Sequence, residues 1–340
     1  MRYNTIFVFP FNLKLRLVRF IFSLVFTFSL SYLHGQSVDS FLAKLKSGET
    51  VPADLLATRS VVLHDYSFEQ EELEIIQRSF QQTGIDAVLY YTNDIISSGR
   101  DVTPILVDYL ISREIRYLIF IDKSPGTYTI TITPFNSKID FVDDGQSAWR
   151  MKHNNLKEML GYIYGTALSS QKKKNFLVND MPEIGGVPNI IKGRRAEFFS
   201  LDMKVDKLAV PKFGNESMDR ELDELLRTNY TSVYVLADVN TDEKELRKQG
   251  YPYVLCYVRT RNAAAKQILG YDMTKSESAL ASVTYPNGVM QLKTIPSETP
   301  VYKFYLRHID SGNVYLGTKW DADVTWQEAL RNHIKGGYVK

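Results

Sequence analysis

A histidine and an aspartate stand side by side at the end of the first predicted strand. This strand covers residues 59–64, so His64 and Asp65 lie where it enters a loop. Because α/β sheets collect ligands at the carboxyl ends of strands, an imidazole beside a carboxylate there could act as general acid or base in ester or phosphate hydrolysis. The alternative is structural: His64 closes the strand and Asp65 caps the helix that starts near Phe68. We favour the structural interpretation.

Other catalytic and metal-binding signatures are absent from the sequence. It contains no phosphate-binding glycine loop, no dinucleotide-binding glycine motif, no HExxH and no GxSxG. No histidine lies three to five residues from another histidine or from a cysteine, and the further His and Asp ligands of a two-metal phosphohydrolase are lacking. The one cysteine, Cys256, lies in the apolar run 253–258 and is expected to be buried and inert. We therefore predict no metal and no cofactor.

Two short acidic motifs could bind a cation through oxygen ligands. Asp143-Asp144 precedes a glycine, and Asp321-Ala322-Asp323 resembles the start of a calcium-binding loop. The second motif lacks the glycine and the terminal glutamate of such a loop at their places. We interpret both motifs as turns or helix caps.

Aromatic residues are concentrated near the end of the chain. Five of them are candidate binding residues: Tyr302, Phe304, Tyr305, Trp320 and Trp326. On a strand at 301–308 the first two share one face and Tyr305 lies on the other. Since both faces carry an aromatic ring, one ring could stay exposed and bind a partner protein or a sugar. We favour the alternative, a packed sheet whose tyrosine hydroxyls reach solvent.

Apolar periodicity predicts alternating strands and helices in the first half of the chain. The expected strands are 59–64, 86–91, 116–121 and 127–133, and the expected helices are 38–46, 68–82, about 101–113 and 155–169. The helix at 68–82 shows the pattern most clearly, because apolar residues recur at helical spacing and glutamates fill its first turn.

The second half repeats this order after a polar segment, 171–193, that is rich in lysine, proline and glycine and that we interpret as a linker. The expected strands are 195–200, 207–210, 232–237, 253–258, 281–285, 301–308 and 314–317, and the expected helices are 219–227, 242–249 and 325–334. The predicted fold class is therefore α/β, a layered α/β sandwich. We expect two tandem domains of similar element order, 36–170 and 194–340.

The N-terminal segment is typical of a secretory signal peptide. Residues 1–19 carry four basic side chains and no acid, and the apolar run 20–33 and Gly35 follow. The run has 14 residues, fewer than the ~18–20 that a membrane-spanning helix needs. We predict that residues 1–35 are a leader cleaved after Gly35; the alternative is an uncleaved anchor.

Removal of this leader changes the charge of the chain. The leader holds four of the 41 basic residues and none of the 39 acidic ones, so the remaining chain has 37 basic against 39 acidic residues. A chain with this balance has no electrostatic reason to bind nucleic acid. We also expect no membrane span once the leader is cleaved.

The segment 301–320 (VYKFYLRHIDSGNVYLGTKW) carries a resemblance to bacterial envelope proteins. It is similar to the paired last strands of the α/β domain in curli-secretion channel subunits, in outer-membrane activators of peptidoglycan synthases and in the N-terminal domain of the TolB family. There an aromatic-rich strand runs into an Asp-x-x-Ser/Thr-Gly turn, a short strand and a tryptophan. Comparable places are occupied here, with a tighter turn, by Asp310, Ser311, Gly312 and Trp320.

The chain departs from these families in two respects. It has no lipid-attachment cysteine, and Tyr315-Leu316-Gly317 separates the turn from the tryptophan. The resemblance implies a non-enzymatic envelope domain that works by binding other proteins.

These observations together predict an exported protein of the periplasm or the outer-membrane periphery. We expect it to bind an envelope protein as an interaction or assembly module, and we favour this role over an enzymatic one. The alternatives are a periplasmic hydrolase that uses His64 and Asp65, and a carbohydrate-binding module that uses the aromatic residues near the end of the chain.

Overall fold

A computed structural model describes residues 38–170, 175, 182–184, 189–273 and 277–337. These residues form a mixed α/β structure, as the periodicity predicts. It has eight α-helices, two larger sheets that combine parallel and antiparallel strands, and a two-stranded antiparallel sheet. The predicted leader, 1–35, lies outside the described residues, and so does most of the predicted linker, 171–193. No helix among the described residues is both long and apolar enough to cross a membrane.

The first sheet has seven strands in the order β1-β6-β5-β4-β2-β3-β7. The strands are β1 Lys46–Gly48, β2 Arg59–His64, β3 Asp86–Thr92, β4 Ile115–Ser124, β5 Thr127–Pro134, β6 Ser147–His153 and β7 Glu183–Ile184. β3 and β4 run parallel to β2 on either side of it, and β7 runs parallel to β3. β5 is antiparallel to both β4 and β6, and β1 is parallel to β6.

Helices cover both faces of this sheet, which explains why β2 and β3 are almost wholly buried. The helices are α1 Val38–Ala43, α2 Gln70–Thr83, α3 Thr103–Ser112 and α4 Leu156–Ser170. α2 and α4 pack on one face, and α1 and α3 pack on the other. α2 begins with a capping box between Glu69 and Glu72, and it ends at Gly84, whose φ of 94° suits a residue without a Cβ.

The second sheet has six strands in the order β10-β9-β11-β14-β15-β8. The strands are β8 Arg195–Ala196, β9 Leu208–Pro211, β10 Tyr234–Ala237, β11 Tyr253–Arg261, β14 Pro300–His308 and β15 Val314–Tyr315. β12 Ala279–Thr284 and β13 Gln291–Pro296 form a separate antiparallel hairpin. Apart from β7, the two larger sheets have the same strand order and the same relative strand directions.

Four helices flank the second sheet: α5 Glu216–Asn229, α6 Glu243–Lys248, α7 Asn262–Ile268 and α8 Trp326–Gly337. α5 and α8 bury their apolar residues on one face, and α6 and α7 contribute to the core on the other. α5 is capped by Asn215, whose side chain accepts hydrogen bonds from the backbone N–H groups of Ser217 and Met218.

The segment after β3 joins the first sheet to the second. The backbone carbonyl of Ser98 accepts a hydrogen bond from Arg259 N at 2.9 Å, and the carboxylate of Asp101 accepts one from Tyr257 N at 3.3 Å. Val102, at the start of α3, is buried in the core of the second sheet. Residues of the first half therefore complete the packing around β11.

Several elements differ from those predicted. The structure adds β1, β6, α7 and β13, which the sequence pattern did not indicate, and it shortens the predicted strand 195–200 to Arg195–Ala196. In β6 the more buried Trp149 and Met151 alternate with the exposed Arg150 and Lys152, but the strand has few apolar residues, so its pattern is weak. β7 lies within the predicted linker and pairs with β3, so this part of 171–193 belongs to the first sheet.

Candidate functional site

His64 ends β2 with its ring packed towards α2. Its Nδ1 lies 2.8 Å from the backbone carbonyl oxygen of Asp65, so Nδ1 carries the proton and donates this hydrogen bond. Its Nε2 is buried and has no hydrogen-bond partner among the described residues. The ring meets the Phe68 ring edge-on, with 6.2 Å between centroids. Burial lowers the pKa of His64, so the imidazole is uncharged at neutral pH.

The Asp65 carboxylate serves the turn that follows β2. Its Oδ1 accepts a hydrogen bond from the backbone N–H of Ser67 at 2.8 Å. The cap of α2 is Glu69 rather than Asp65, because α2 starts two residues later than the sequence pattern indicates. The imidazole of His64 thus bonds to the backbone of Asp65 and not to its carboxylate, and the helix-capping role predicted for Asp65 is filled by Glu69.

Another carboxyl group, not singled out in the sequence, lies near the same ends of the strands as His64 and Asp65. Asp122 lies near the end of β4, and the side-chain amide of Asn93 donates to its Oδ1 at 3.4 Å. Burial, followed by the negative charge of Asp65, raises the pKa of Asp122 to about 6. The sequence could have indicated Asp122, because it directly follows the apolar run of β4. His64 packs on the α2 face and Asp122 follows residues of the α3 face, so the sheet separates the two groups.

Asp122→Asn is expected to stabilise the protein at neutral pH by up to about 3 kcal/mol. The folded-state pKa lies above the ordinary value of 3.8, so protonated Asp122 contributes stability that is complete below 3.8 and is lost as the pH rises through about 6. Asparagine mimics the protonated form at every pH. The gain, measured by urea unfolding, should therefore disappear below pH 3.8, and the exposed Asp144→Asn should change stability little at either pH. Equal stability of Asp122→Asn and the wild type at neutral pH would contradict the assignment.

Asp94 and Arg261 link the first half of the chain to β11. Asp94 Oδ2 accepts hydrogen bonds from Arg261 Nε at 2.8 Å and from the Thr260 hydroxyl at 2.7 Å. Burial alone would raise the pKa of Asp94, but Arg261 and Thr260 hold it below its ordinary value. The guanidinium carbon of Arg261 lies 4.6 Å from the centroid of the Tyr66 ring, in a cation–π arrangement. These contacts connect the carboxyl ends of the strands of the first sheet to β11 of the second sheet.

A cleft of about 460 Å³ lies between the start of α3 and the turn after β14. Four of its six charged residues pair with one another: Arg307 forms a bidentate ion pair with Glu243, and Arg100 lies 4.0 Å from Asp101. Of the other two, Lys192 and Asp310, the aspartate pairs with Arg247 outside the cleft. The Asp310-Ser311-Gly312 turn, which carries the resemblance noted above, forms one rim. This cleft can accommodate a small polar molecule, but mutual pairing leaves its charges largely neutralised.

The predicted aromatic candidates are mostly core residues. Phe304, Tyr305, Trp320 and Trp326 are all at most 7% exposed, and only Tyr302 is half-buried. Phe304 and Trp326 lie in the core under α5 and α8, whereas Tyr305 and Trp320 lie in the core on the opposite face. The sheet is thus packed on both faces, but the expectation that tyrosine hydroxyls reach solvent is wrong for Tyr305, which is 2% exposed. Tyr302 is the only one of the five that is partly exposed. Cys256 is also buried, as expected, and burial raises its pKa.

The exposed apolar surface is found elsewhere, around the C-terminal end of α8. Six residues of two segments that approach this end of α8 are more than half exposed, and we term them the apolar surface: Phe198, Leu201, Val205, Val289, Met290 and Leu292. Two segments supply them, 198–205 and the tip of the β12–β13 hairpin. A Cβ on Gly336 would lie 3.3 Å from the Phe199 ring and 3.7 Å from the Tyr285 hydroxyl, so both segments reach the same end of α8. Exposed apolar clusters of this kind mark protein interaction sites.

Asp321 and Asp323, interpreted above as turn or cap residues, belong to buried charge networks. Asp321 Oδ1 accepts from the Lys303 ammonium at 2.7 Å, and its Oδ2 lies 3.1 Å from His333 Nδ1. Burial opposes ionisation of Asp321, but Lys303 and His333 hold its pKa below the ordinary value. Asp323 is also buried and pairs with Lys293 at 2.7 Å. The sequence pattern missed this network because its members are distant along the chain.

The described part of the chain contains no cluster of three or more His, Cys, Asp or Glu side chains that could hold a metal ion. No protein-family model matches the sequence, and a comparison with curated proteins finds no significant match. The site must therefore be interpreted from its own geometry.

Proposed function

We propose that this chain is an exported, non-enzymatic protein of the bacterial envelope that binds or assembles other proteins. In this proposal residues 1–35 are the cleaved leader, and the mature protein lies in the periplasm or at the outer-membrane periphery. The observation that carries the proposal is the apolar surface at the C-terminal end of α8, because it supplies six of the 15 exposed large apolar residues of the described chain, while most aromatic candidates are buried.

We further propose that the mature chain consists of two tandem α/β domains, 36–170 and 194–340, with 171–193 between them. The shared strand order and strand directions of the two larger sheets support this division. The β12–β13 hairpin is an addition to the second unit, inserted between its fourth and fifth strands. Since this hairpin supplies half of the apolar surface, the second unit is the one we assign to partner binding.

The positions of His64, Asp65 and Asp122 support the alternative role, that of a hydrolase, less well than a binding role. The His64 imidazole bonds to a backbone carbonyl, the Asp65 carboxylate closes a turn, and the sheet lies between His64 and Asp122. General acid–base catalysis needs such groups to converge on one substrate atom. These positions favour binding over hydrolysis as the role of the protein.

Charged substitutions in the apolar surface test the proposal. Leu201 and Leu292 are 76% and 75% exposed, so Leu201→Asp and Leu292→Asp should leave the fold intact. Each should reduce the yield of the crosslinked envelope partner from native cells at least about tenfold, which corresponds to a loss of about 1.4 kcal/mol in the free energy of binding. Ile139→Asp is the matched control, because Ile139 is 64% exposed but lies in the first half of the chain. Thermal unfolding of each variant verifies the fold. Equal crosslinking by all three variants would overturn the assignment of this surface.

A further inference from the structure

The two larger sheets differ at one corresponding edge. In the first sheet, β7 covers the outer side of β3 as a parallel strand, with Leu89 opposite Glu183 and Tyr90 opposite Ile184. β10 corresponds to β3, because β10 lies beside β9 in the second sheet as β3 lies beside β2 in the first. No strand of the described residues covers the outer side of β10. Among the described residues, the outer side of β3 is thus covered and the outer side of β10 is open.

The open edge of β10 presents unused backbone hydrogen-bonding groups. Leu208 N–H donates to the Val233 carbonyl at 3.0 Å, which places Val233 and every second residue after it towards β9. Tyr234 and Leu236 therefore direct their N–H and C=O groups away from β9. Neither residue has a backbone partner on that side among the described residues. An added strand would find two donors and two acceptors at the spacing of a sheet ladder.

The sequence of this edge lacks the usual protection against strand addition. Residues 231–237 (TSVYVLA) contain no charge and no proline and are rich in β-branched and aromatic residues. Val233 and Val239, which flank the strand, are 57% and 48% exposed. Natural proteins blunt exposed edges with lysine, proline, bulges or a covering segment. An unprotected apolar edge is therefore expected to be covered when the protein works.

The acidic charge of α5, which lies beside β10, indicates which kind of segment would bind to the open edge. α5 packs next to this strand, since the Tyr234 hydroxyl donates to Asp223 at 2.8 Å, and α5 carries five acidic against two basic residues. A second copy of this chain, paired antiparallel through β10, would bring two such acidic helices side by side. A segment with basic flanking residues would be attracted instead.

We propose that the β10 edge accepts an extended segment of a partner protein, apolar in alternation and flanked by basic residues, as an additional parallel strand. The mode of binding is β-strand addition, in which main-chain hydrogen bonds supply affinity and side-chain pockets supply specificity. β7 on β3 provides the precedent within the same chain. This inference rests on the proposed function and specifies how the partner is held.

Hydrogen exchange of the partner complex tests the inference. Tagged protein is isolated gently from native cells, and deuterium uptake of residues 231–238 is compared before and after the partner is stripped by high salt. We expect the two outward amides, those of Tyr234 and Leu236, to be protected in the complex and to lose that protection on stripping. This measurement uses the wild-type protein and depends on no variant.

Two substitutions of Leu236 distinguish the contribution of its backbone N–H to partner binding from that of its side chain. Leu236→Pro removes an N–H that β9 does not use, whereas Leu236→Ala removes most of the same side chain and keeps the N–H. We expect the complex to be lost in Leu236→Pro and retained in Leu236→Ala, with circular dichroism confirming that both fold.

The remaining outcomes are each decisive. A complex in which 231–238 stays unprotected, or which survives in folded Leu236→Pro, overturns the edge inference and leaves the proposed function standing. A protected edge in a particle that native mass spectrometry shows to be a homodimer overturns the basic partner in favour of a second copy. Wild-type protein that has no partner in native cells overturns the proposed function itself.

Discussion

Asp321→Asn is expected to lower the free energy of unfolding by about 3–5 kcal/mol. Lys303 is fully buried, and its ammonium group is neutralised by the Asp321 carboxylate, with a further hydrogen bond of 2.6 Å to the Leu316 carbonyl. The amide would leave this ammonium as an uncompensated charge in the core. Urea unfolding at neutral pH, followed by far-UV circular dichroism, measures the loss.

A double variant distinguishes loss of charge balance from a general disturbance of packing. Lys303→Met together with Asp321→Asn removes both charges, so we expect it to recover most of the stability that Asp321→Asn loses. If the free energy of unfolding of Asp321→Asn lies within about 1 kcal/mol of the wild-type value, burial of Lys303 does not require the Asp321 carboxylate, and the prediction is wrong.

Asp94→Ala is expected to cost about 2–4 kcal/mol, because it removes the acceptor of two hydrogen bonds from Arg261 and of one from Thr260. The side chains of Asp94 and Arg261 are only 20% and 13% exposed, so water replaces these bonds poorly. Since the contact links the first half of the chain to β11, its loss should also make the two sheets unfold less cooperatively. Calorimetry would then record a broader or split transition.

Glu298→Ala is the matched control for this prediction. Glu298 pairs with the same arginine at 2.7 Å, but its side chain is 48% exposed, and exposed ion pairs contribute about 0–1 kcal/mol. Equal effects of Asp94→Ala and Glu298→Ala would contradict the view that burial of the Asp94 contact holds the two halves together.

The α/β class and most of the central elements could be predicted from periodicity alone. Strand β2 was placed at its observed bounds, and α2 within two residues of its start, because apolar runs and capping glutamates are local signals. β1, with three residues, and β7, with two, are too short to carry such a signal. Their existence depends on pairing with β6 and β3, which is a non-local property.

The candidate site was less predictable than the fold. His64 and Asp65 were correctly placed at the end of β2, but alternation of side chains sends the imidazole towards α2, while the Asp65 carboxylate turns back to Ser67. Asp122 was missed because its raised pKa arises from burial and from the charge of Asp65 in a neighbouring strand connection. The apolar surface was missed because its two segments are some 90 residues apart and meet only at the end of α8.

Export and partner binding can be tested together by crosslinking in native cells, with the mature N-terminus determined on the same tagged sample after fractionation. We expect an N-terminus at or near Gln36 and a defined envelope protein crosslinked through residues of the apolar surface or the β10 edge. A chain that retains its first 35 residues in the cytosolic fraction, or a processed chain recovered as a monomer with no crosslinked partner, would contradict it.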